Sequence, residues 1–465
     1  MCGIIGVSGV PEAARVAHLG LYSLQHRGQE SAGIVALDGT GAARSHRGMG
    51  LVSDIFPDAV LAGLPGDVAI GHTRYSTAGS SVLVNAQPIL AGYREGPLAL
   101  AHNGNLTNAE QLRADLVAKG SIFQTSSDSE VLIHLIARSE AREPEDQLLD
   151  ALERVEGAYS LVVTVGRTLY AIVDARGFRP LWLGRLGAGH VVVSETCALD
   201  LIGATPVREL APGDFVRIQG GEVDRLLSLP PKPHRRCIFE LVYFSRPDST
   251  IFGRSVDRVR RALGRELARE HPAPGADCVF SVPDSSNAMA LGFAEQAGLK
   301  LEHALIRNHY VGRTFINPTQ AGRNAKVKIK FNPVREVLEG KKVVVVDDSL
   351  VRGTTSKGLV HMIRQAGAAE VHFRLASAPI TGPCYYGIDT PTTSELIASS
   401  HSLEEIREHL CVDTLGYLSL EGMLRAAGGD PAEFCHACFS GDYPTAIPDE
   451  RGRDREREPV PAIAV

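Results

Sequence analysis

A cysteine at position 2, followed by glycine, is the first residue of the chain whose type and place suggest chemistry. A small side chain at position 2 favours removal of Met1, which leaves a thiol and a free α-amine on one residue. The thiol, with a pKa near ~8.5, is mostly protonated at neutral pH, and an amine of pKa ~8 beside it can accept the proton. Such a residue is a nucleophile that needs no separate histidine base. Read alone, Cys2 serves equally well as a small buried apolar residue at a strand start.

Two arginines follow in glycine- and hydroxyl-rich settings, Arg27 in Gln25-His26-Arg27-Gly28-Gln29-Glu30 and Arg74 in Gly71-His72-Thr73-Arg74-Tyr75-Ser76-Thr77. Their planar forks suit a carboxylate. His102-Asn103-Gly104-Asn105 offers a side-chain amide and a glycine N–H, the two kinds of donor that stabilise a tetrahedral oxyanion. Asp128, in Ser126-Ser127-Asp128-Ser129-Glu130, has the charge to receive an ammonium group.

A second constellation lies far downstream. Lys342-Val343-Val344-Val345-Val346 reads as a buried parallel strand that ends in Asp347-Asp348, and ligands gather at that edge of a parallel sheet. Then come Ser349-Leu350-Val351-Arg352-Gly353-Thr354-Thr355-Ser356 and a helical stripe through Leu359, Met362 and Ile363. Backbone N–H groups and hydroxyls at that turn suit a phosphate. The paired acids suit ribose hydroxyls and a magnesium ion. Ser285, in Val282-Pro283-Asp284-Ser285-Ser286, closes another apolar strand at the same edge. It is either a magnesium-shell contact or a helix cap. Cys435-His436-Ala437-Cys438 puts two thiols on one turn, a spacing that suits a shared metal centre but calls for two more ligands.

The elements that must position these groups fall into two sets. The chain has 465 residues, more than one ordinary core accommodates. From Met1 to about Leu229, short strands such as Leu161–Val163 and Val191–Val193 alternate with glycine-rich turns and a few helical stretches. Pro230-Pro231-Lys232-Pro233 forbids regular hydrogen-bonded structure and marks a stiff connection, which places a boundary at residue 231. Beyond it, strands at 277–283, 342–346 and 371–377 alternate with helices at 288–296 and 357–366, the pattern of a parallel sheet flanked by helices. The second unit is expected to span 232–445. Residues 446–465 mix charges and prolines with little apolar surface and are expected to be a disordered tail.

A net charge of −6 gives no reason to expect nucleic acid. No apolar run approaches the ~20 residues that span a bilayer, and the amino terminus lacks the basic segment of a secretory signal, so a cytoplasmic location with no membrane partner is expected. Eight cysteines, at 2, 197, 237, 278, 384, 411, 435 and 438, are too sparse for a disulfide scaffold. Cys197, Cys278 and Cys411 read as packing residues.

Taken in order, the motifs from Cys2 to about Leu229 resemble the glutamine amidotransferases with an amino-terminal nucleophile. The 342–356 segment resembles the phosphoribosyl pyrophosphate (PRPP) signature of type I phosphoribosyltransferases. Both halves together are similar to the amidophosphoribosyltransferase family, in its iron-sulfur branch, over Cys2 to about Tyr443. The resemblance implies an α+β Ntn hydrolase domain with αββα layers, followed by an α/β phosphoribosyltransferase domain with a parallel sheet. It makes Cys2 the nucleophile on glutamine, and Asn103 with Gly104 the oxyanion hole. Arg74, Thr77 and Asp128 become glutamine-binding, and Arg27 helps to close that site. It assigns Asp347, Asp348, Arg352, Gly353, Thr354, Thr355 and Ser356 to PRPP, with Arg313 on a basic flap over pyrophosphate. Ser285, Asp347 and Asp348 become the magnesium shell.

The likeness also selects Cys237 and Cys384 to join Cys435 and Cys438 around a [4Fe-4S] cluster, with zinc as the rival occupant. The implied reaction hydrolyses glutamine and moves ammonia through an internal channel onto PRPP, giving phosphoribosylamine, glutamate and pyrophosphate, the first step of purine synthesis. Tyr243 is expected at the domain junction. Feedback by purine nucleotides and a homodimer or homotetramer are implied as well. The competing readings are a sugar-phosphate aminating synthase or asparagine synthetase, which need another acceptor domain, and a non-catalytic nucleotide-binding regulator on the same fold.

Overall fold

The computed structural model describes residues 1–76, 80–308 and 330–448. Its first half is a sandwich of two antiparallel sheets. The seven-stranded sheet runs in the order Thr205–Glu209, Trp182–Leu186, Gly189–Val193, Gly3–Ser8, Val68–Arg74, Ser31–Leu37, Ala43–Met49. The six-stranded sheet runs Glu222–Ser228, Asp214–Gln219, Thr168–Val173, Gly157–Val165, Gly96–Leu106, Ile89–Tyr93.

Alternation along each strand decides what each face meets. Ile5 and Val7 turn outward to a core shared with the helices Ala13–Ser23 and Thr196–Ile202, whereas Ile4 turns inward against Val162 and Ala171 of the other sheet. Likewise Ala99 and Ala101 face the sandwich interior, while Leu98 and Leu100 face the helices Ala109–Ala118, Ser129–Arg138 and Pro144–Leu152. Each sheet thus buries one face against the other sheet and the opposite face against helices, giving four layers, αββα.

Residues 229–235 have no regular structure, as the proline run requires. The chain then stays attached to the sandwich: Arg235 N–H donates to Arg176 O at 2.8 Å and Cys237 N–H to Phe178 O at 3.2 Å. A five-stranded parallel sheet follows, in the order Lys300–Leu301, Cys278–Ser281, Lys342–Asp347, Glu370–Leu375, Thr414–Tyr417. Val344 and Val346 face a core with the helices Val256–Glu270 and Asn287–Ala297, and Val343 and Val345 face one with Thr354–Gln365 and Leu403–Leu410. Burial on both faces explains the unbroken valine run.

Cys197 and Cys278 are buried, but Cys411 corrects the expectation of a packing role. It is exposed, just past the helix Leu403–Leu410, in the left-handed conformation at φ 58° that ends helices, so its place is set by the backbone. Among the described residues no helix is long and apolar enough to cross a membrane. The basic flap, Arg313 included, and the tail from residue 449 lie outside the described residues.

Candidate active site

The amino-terminal centre forms where the two sheets of the sandwich meet. Cys2 is buried immediately before the strand Gly3–Ser8, and its backbone N–H donates to Asn103 Oδ1 of the opposite sheet at 3.2 Å. Its Sγ lies 3.8 Å from Tyr75 O. With Oδ1 so engaged, the Nδ2 of Asn103 is buried and makes no hydrogen bond. A buried amide donor without a partner costs about 1–3 kcal/mol, so its presence points to a charge that arrives with a ligand. Gly104 adopts φ 154° beside it, a conformation that L side chains rarely take.

Asp128 is buried and accepts from Leu106 N at 3.0 Å and from Ser129 Oγ at 3.2 Å, so it holds the end of the same strand. Arg74 is buried; its Nη1 donates to Ser80 O at 3.1 Å and lies 3.9 Å from Glu30. Thr77 lies outside the described residues. Burial pushes His72 down to about 3, so the ring next to Thr73 and Arg74 is neutral. Met1 is buried; its Sδ accepts from Arg179 Nη1 at 2.7 Å, and burial lowers the proton affinity of its amine.

Arg27, expected to help close the glutamine site, is fully buried and engages two carboxylates of the protein itself. Its Nε donates to Glu195, Nη2 donates to Glu240 at 2.6 Å and to Ser245 at 3.2 Å. Burial opposes the charge, but Glu195 and Glu240 outweigh it and hold Arg27 above its usual value. Glu195 also accepts from Ser249 Oγ at 2.7 Å and Arg246 N at 2.9 Å, and Glu240 from Arg179 at 3.3 Å. This fully buried network ties the sandwich to the segment 240–249. Sequence reasoning missed Arg179, Glu195 and Glu240, whose partners are far away along the chain. Tyr243 sits beside it, in a π-helical turn Glu240–Phe244, against Phe239 and Phe244.

At the carboxyl edge of the parallel sheet, Asp347 and Asp348 end their strand with Ser285 and Ser286 alongside. Ser285 Oγ donates to Asp348 Oδ2 at 2.5 Å, Ser286 Oγ to Asp347 Oδ1 at 3.2 Å, and Ser349 Oγ to Asp348 Oδ1 at 2.6 Å. Burial, and for Asp347 the neighbouring Asp348, raise both acids above the ordinary carboxylate range. Buried Arg260, unsuspected from sequence, draws Asp348 partly back.

Gly353, at φ 75°, precedes the helix Thr354–Gln365, whose first turn leaves Thr354 and Thr355 exposed and Ser356 buried. The unpaired N–H groups of that turn are an anion cradle. Arg352, just before it, pairs with Glu395 at 2.9 Å.

The four selected cysteines are neighbours. Cys237 and Cys435 sit opposite one another on a two-residue parallel ladder. Burial raises Cys237, to about 11, and Cys435 and Cys438 as well; Cys384, Cys237 and Cys435 each push Cys438 further up. Among the described residues no group of three or more Cys, His, Asp or Glu is already arranged to hold a metal ion. The donor set nevertheless has the chemistry of one, soft thiols collected from four chain positions into one buried locus.

A model of the glutamine amidotransferase domain matches residues 72–200. The chain is 51% identical to chloroplastic amidophosphoribosyltransferase 2 of Arabidopsis thaliana over 97% of this chain and 80% of that one. It is 49% identical to the amidophosphoribosyltransferase of Bacillus subtilis, covering 96% and 94%. Among solved structures, glutamine PRPP amidotransferase from B. subtilis complexed with ADP and GMP superposes with a TM-score of 0.91 at 48% identity, covering 97% and 98%. The sandwich is therefore an Ntn amidotransferase domain and the parallel sheet a phosphoribosyltransferase domain, and the chain belongs to the amidophosphoribosyltransferase family.

Proposed function

We propose that this chain hydrolyses glutamine at Cys2 and transfers the ammonia to PRPP, forming phosphoribosylamine, glutamate and pyrophosphate. The observation that carries this reading is the unspent Asn103 Nδ2, buried next to Gly104 and joined through Oδ1 to the Cys2 nitrogen. Once Met1 is removed, that nitrogen is an amine and takes the thiol proton. The thiolate adds to the glutamine amide carbon, and Asn103 Nδ2 with the Gly104 N–H receives the oxyanion. Collapse of the adduct releases ammonia and leaves a thioester, which water hydrolyses to glutamate through a second oxyanion at the same donors. Arg74, Thr77 and Asp128 bind the amino-acid end.

At the other domain Thr354, Thr355 and Ser356 hold the 5-phosphate, and Asp347 with Asp348 bind the ribose hydroxyls. Ammonia then displaces pyrophosphate at the anomeric carbon. Ser285, Asp347 and Asp348 are oxygen donors that fit magnesium, which when bound neutralises the pyrophosphate. Cys237, Cys384, Cys435 and Cys438 would hold a [4Fe-4S] cluster of structural role. Purine nucleotides as feedback ligands, a homodimer or homotetramer and a cytoplasmic location complete the reading; the relative solved with ADP and GMP supports the first.

Domains at 1–231 and 232–445 are part of this reading, supported by the antiparallel sheets before the proline run and the parallel sheet after it. A non-catalytic regulator would not require Cys2 beside two oxyanion donors. Supplying protein with glutamine and PRPP and following glutamate and pyrophosphate together tests the assignment. The two products are expected in equal amounts, and glutamate without pyrophosphate would exclude this acceptor.

A further inference from the structure

The segment that carries Cys384 also reaches the sandwich. Gly387, at φ 106°, approaches Gly104 so closely that an added Cβ would lie 2.8 Å from the Gly104 carbonyl carbon, 2.9 Å from its oxygen and 3.0 Å from its Cα. Asn105 Nδ2 donates to Tyr385 O at 3.1 Å, so the next residue of the strand is tied to the same segment. Tyr386 O accepts two bonds from Arg179, at 3.1 and 2.6 Å, and its ring stacks on Phe178 at 4.4 Å. The 385–387 backbone is thus pinned to the sandwich at three successive residues. On its own sheet Gly104 is equally confined, since a Cβ there would lie 2.0 Å from Ala158 O.

From this contact we infer that Gly387, with Tyr385 O and Asn105, is a positioning element of the oxyanion hole. It fixes the peptide of Gly104 from the second domain, so the donors of glutamine hydrolysis are aligned only when the two domains are docked. The inference rests on Asn103 and Gly104 being those donors. A glycine is required at 387 both by its φ and by the approach of another backbone. A misplacement of about 1 Å in such a group costs up to about 100-fold in rate without weakening ground-state binding.

Gly387→Ala is therefore expected to lower kcat for glutamate release by about 10- to 100-fold. The KM for glutamine should stay within about twofold, because an interaction made only in the transition state acts on kcat. Ammonia-dependent pyrophosphate release should persist at the parental rate. Asn105→Ala, which withdraws the tie without intruding on backbone, should give a smaller fall of the same kind, and it decides the matter if the alanine at 387 prevents folding. Parental kcat in both variants, a rise in KM alone, or equal loss of the glutamine- and ammonia-dependent reactions would each overturn the inference. Asn103→Ala separates it from the reading beneath it. If that variant keeps parental kcat, the donor assignment itself is wrong, whereas if it loses about 100-fold while Gly387→Ala loses nothing, only the role of Gly387 fails.

Discussion

At the amino-terminal centre the groups proposed to receive charge are neutral donors, the Asn103 amide and a glycine N–H, on one strand facing Cys2 of the other sheet. At the edge of the parallel sheet the corresponding groups are two carboxylates side by side, partly hydrogen-bonded by serines and raised above their ordinary range by burial, Asp347 also by Asp348. A neutral donor without a partner costs little enough for a fold to carry permanently. Adjacent buried acids cost more, and they shed that cost by taking up a proton or a cation. The amino-terminal centre thus rests on the chain's own uncharged atoms, whereas the second depends on what it binds.

Removing the nucleophile separates the two most sharply. Cys2→Ala should lower glutamine-dependent product formation by about 10,000-fold or more, with ammonia-dependent transfer left near the parental rate. A coupled assay with either nitrogen donor reads both. Comparable loss with ammonia would mean that the centres are not separable.

In the Arg27, Arg179, Glu195 and Glu240 network, by contrast, every buried ion is paired within the chain. Glu240→Ala leaves Arg27 and Arg179 short of a buried partner and should cost about 3–5 kcal/mol, read as a lower denaturant midpoint. A change below 1 kcal/mol would show that water replaces the carboxylate there.

The same contrast explains what the sequence disclosed. Cys2, Asn103-Gly104 and the valine run into Asp347-Asp348 stood out as candidates because each is a local pattern of consecutive residues. The four layers came from the resemblance to the Ntn amidotransferases, and the strand alternation seen in the structure bears them out. The pairing of Arg27 was not legible, because a buried, doubly paired arginine looks in sequence like one facing a site. Its partner Glu240 is separated from it by 213 positions. Gly387 was invisible for the same reason, as its constraint comes from a backbone in the other domain. Cys411 misled because cysteine is usually buried, whereas here the helix end fixes its place.

Asp347→Asn probes the dependent centre. Its folded-state pKa is raised, so the protonated form favours folding. The associated stability is full below the unfolded value of 3.8 and is lost as pH rises through the folded value. At neutral pH the charge is therefore a liability, and the amide should raise stability by about 0.5–2 kcal/mol in chelator, with a flatter dependence on pH above 4. PRPP-dependent turnover should fall by about 100-fold. Lower stability in the variant would mean that the acids are already compensated in the free protein.

The smallest expected effect lies at Arg352. Its bond to Glu395 at 2.9 Å is exposed and occupies the guanidinium, so a ligand must compete with a carboxylate for it. Exposed pairs of this kind contribute about 0–1 kcal/mol, which bounds both consequences of breaking it. Glu395→Gln should leave thermal stability within that range and lower the KM for PRPP by no more than about fivefold, at unchanged kcat. A raised KM would reverse the role of Glu395: the carboxylate would then be holding Arg352 ready for the ligand, and this edge of the site would be as preorganised as the oxyanion hole.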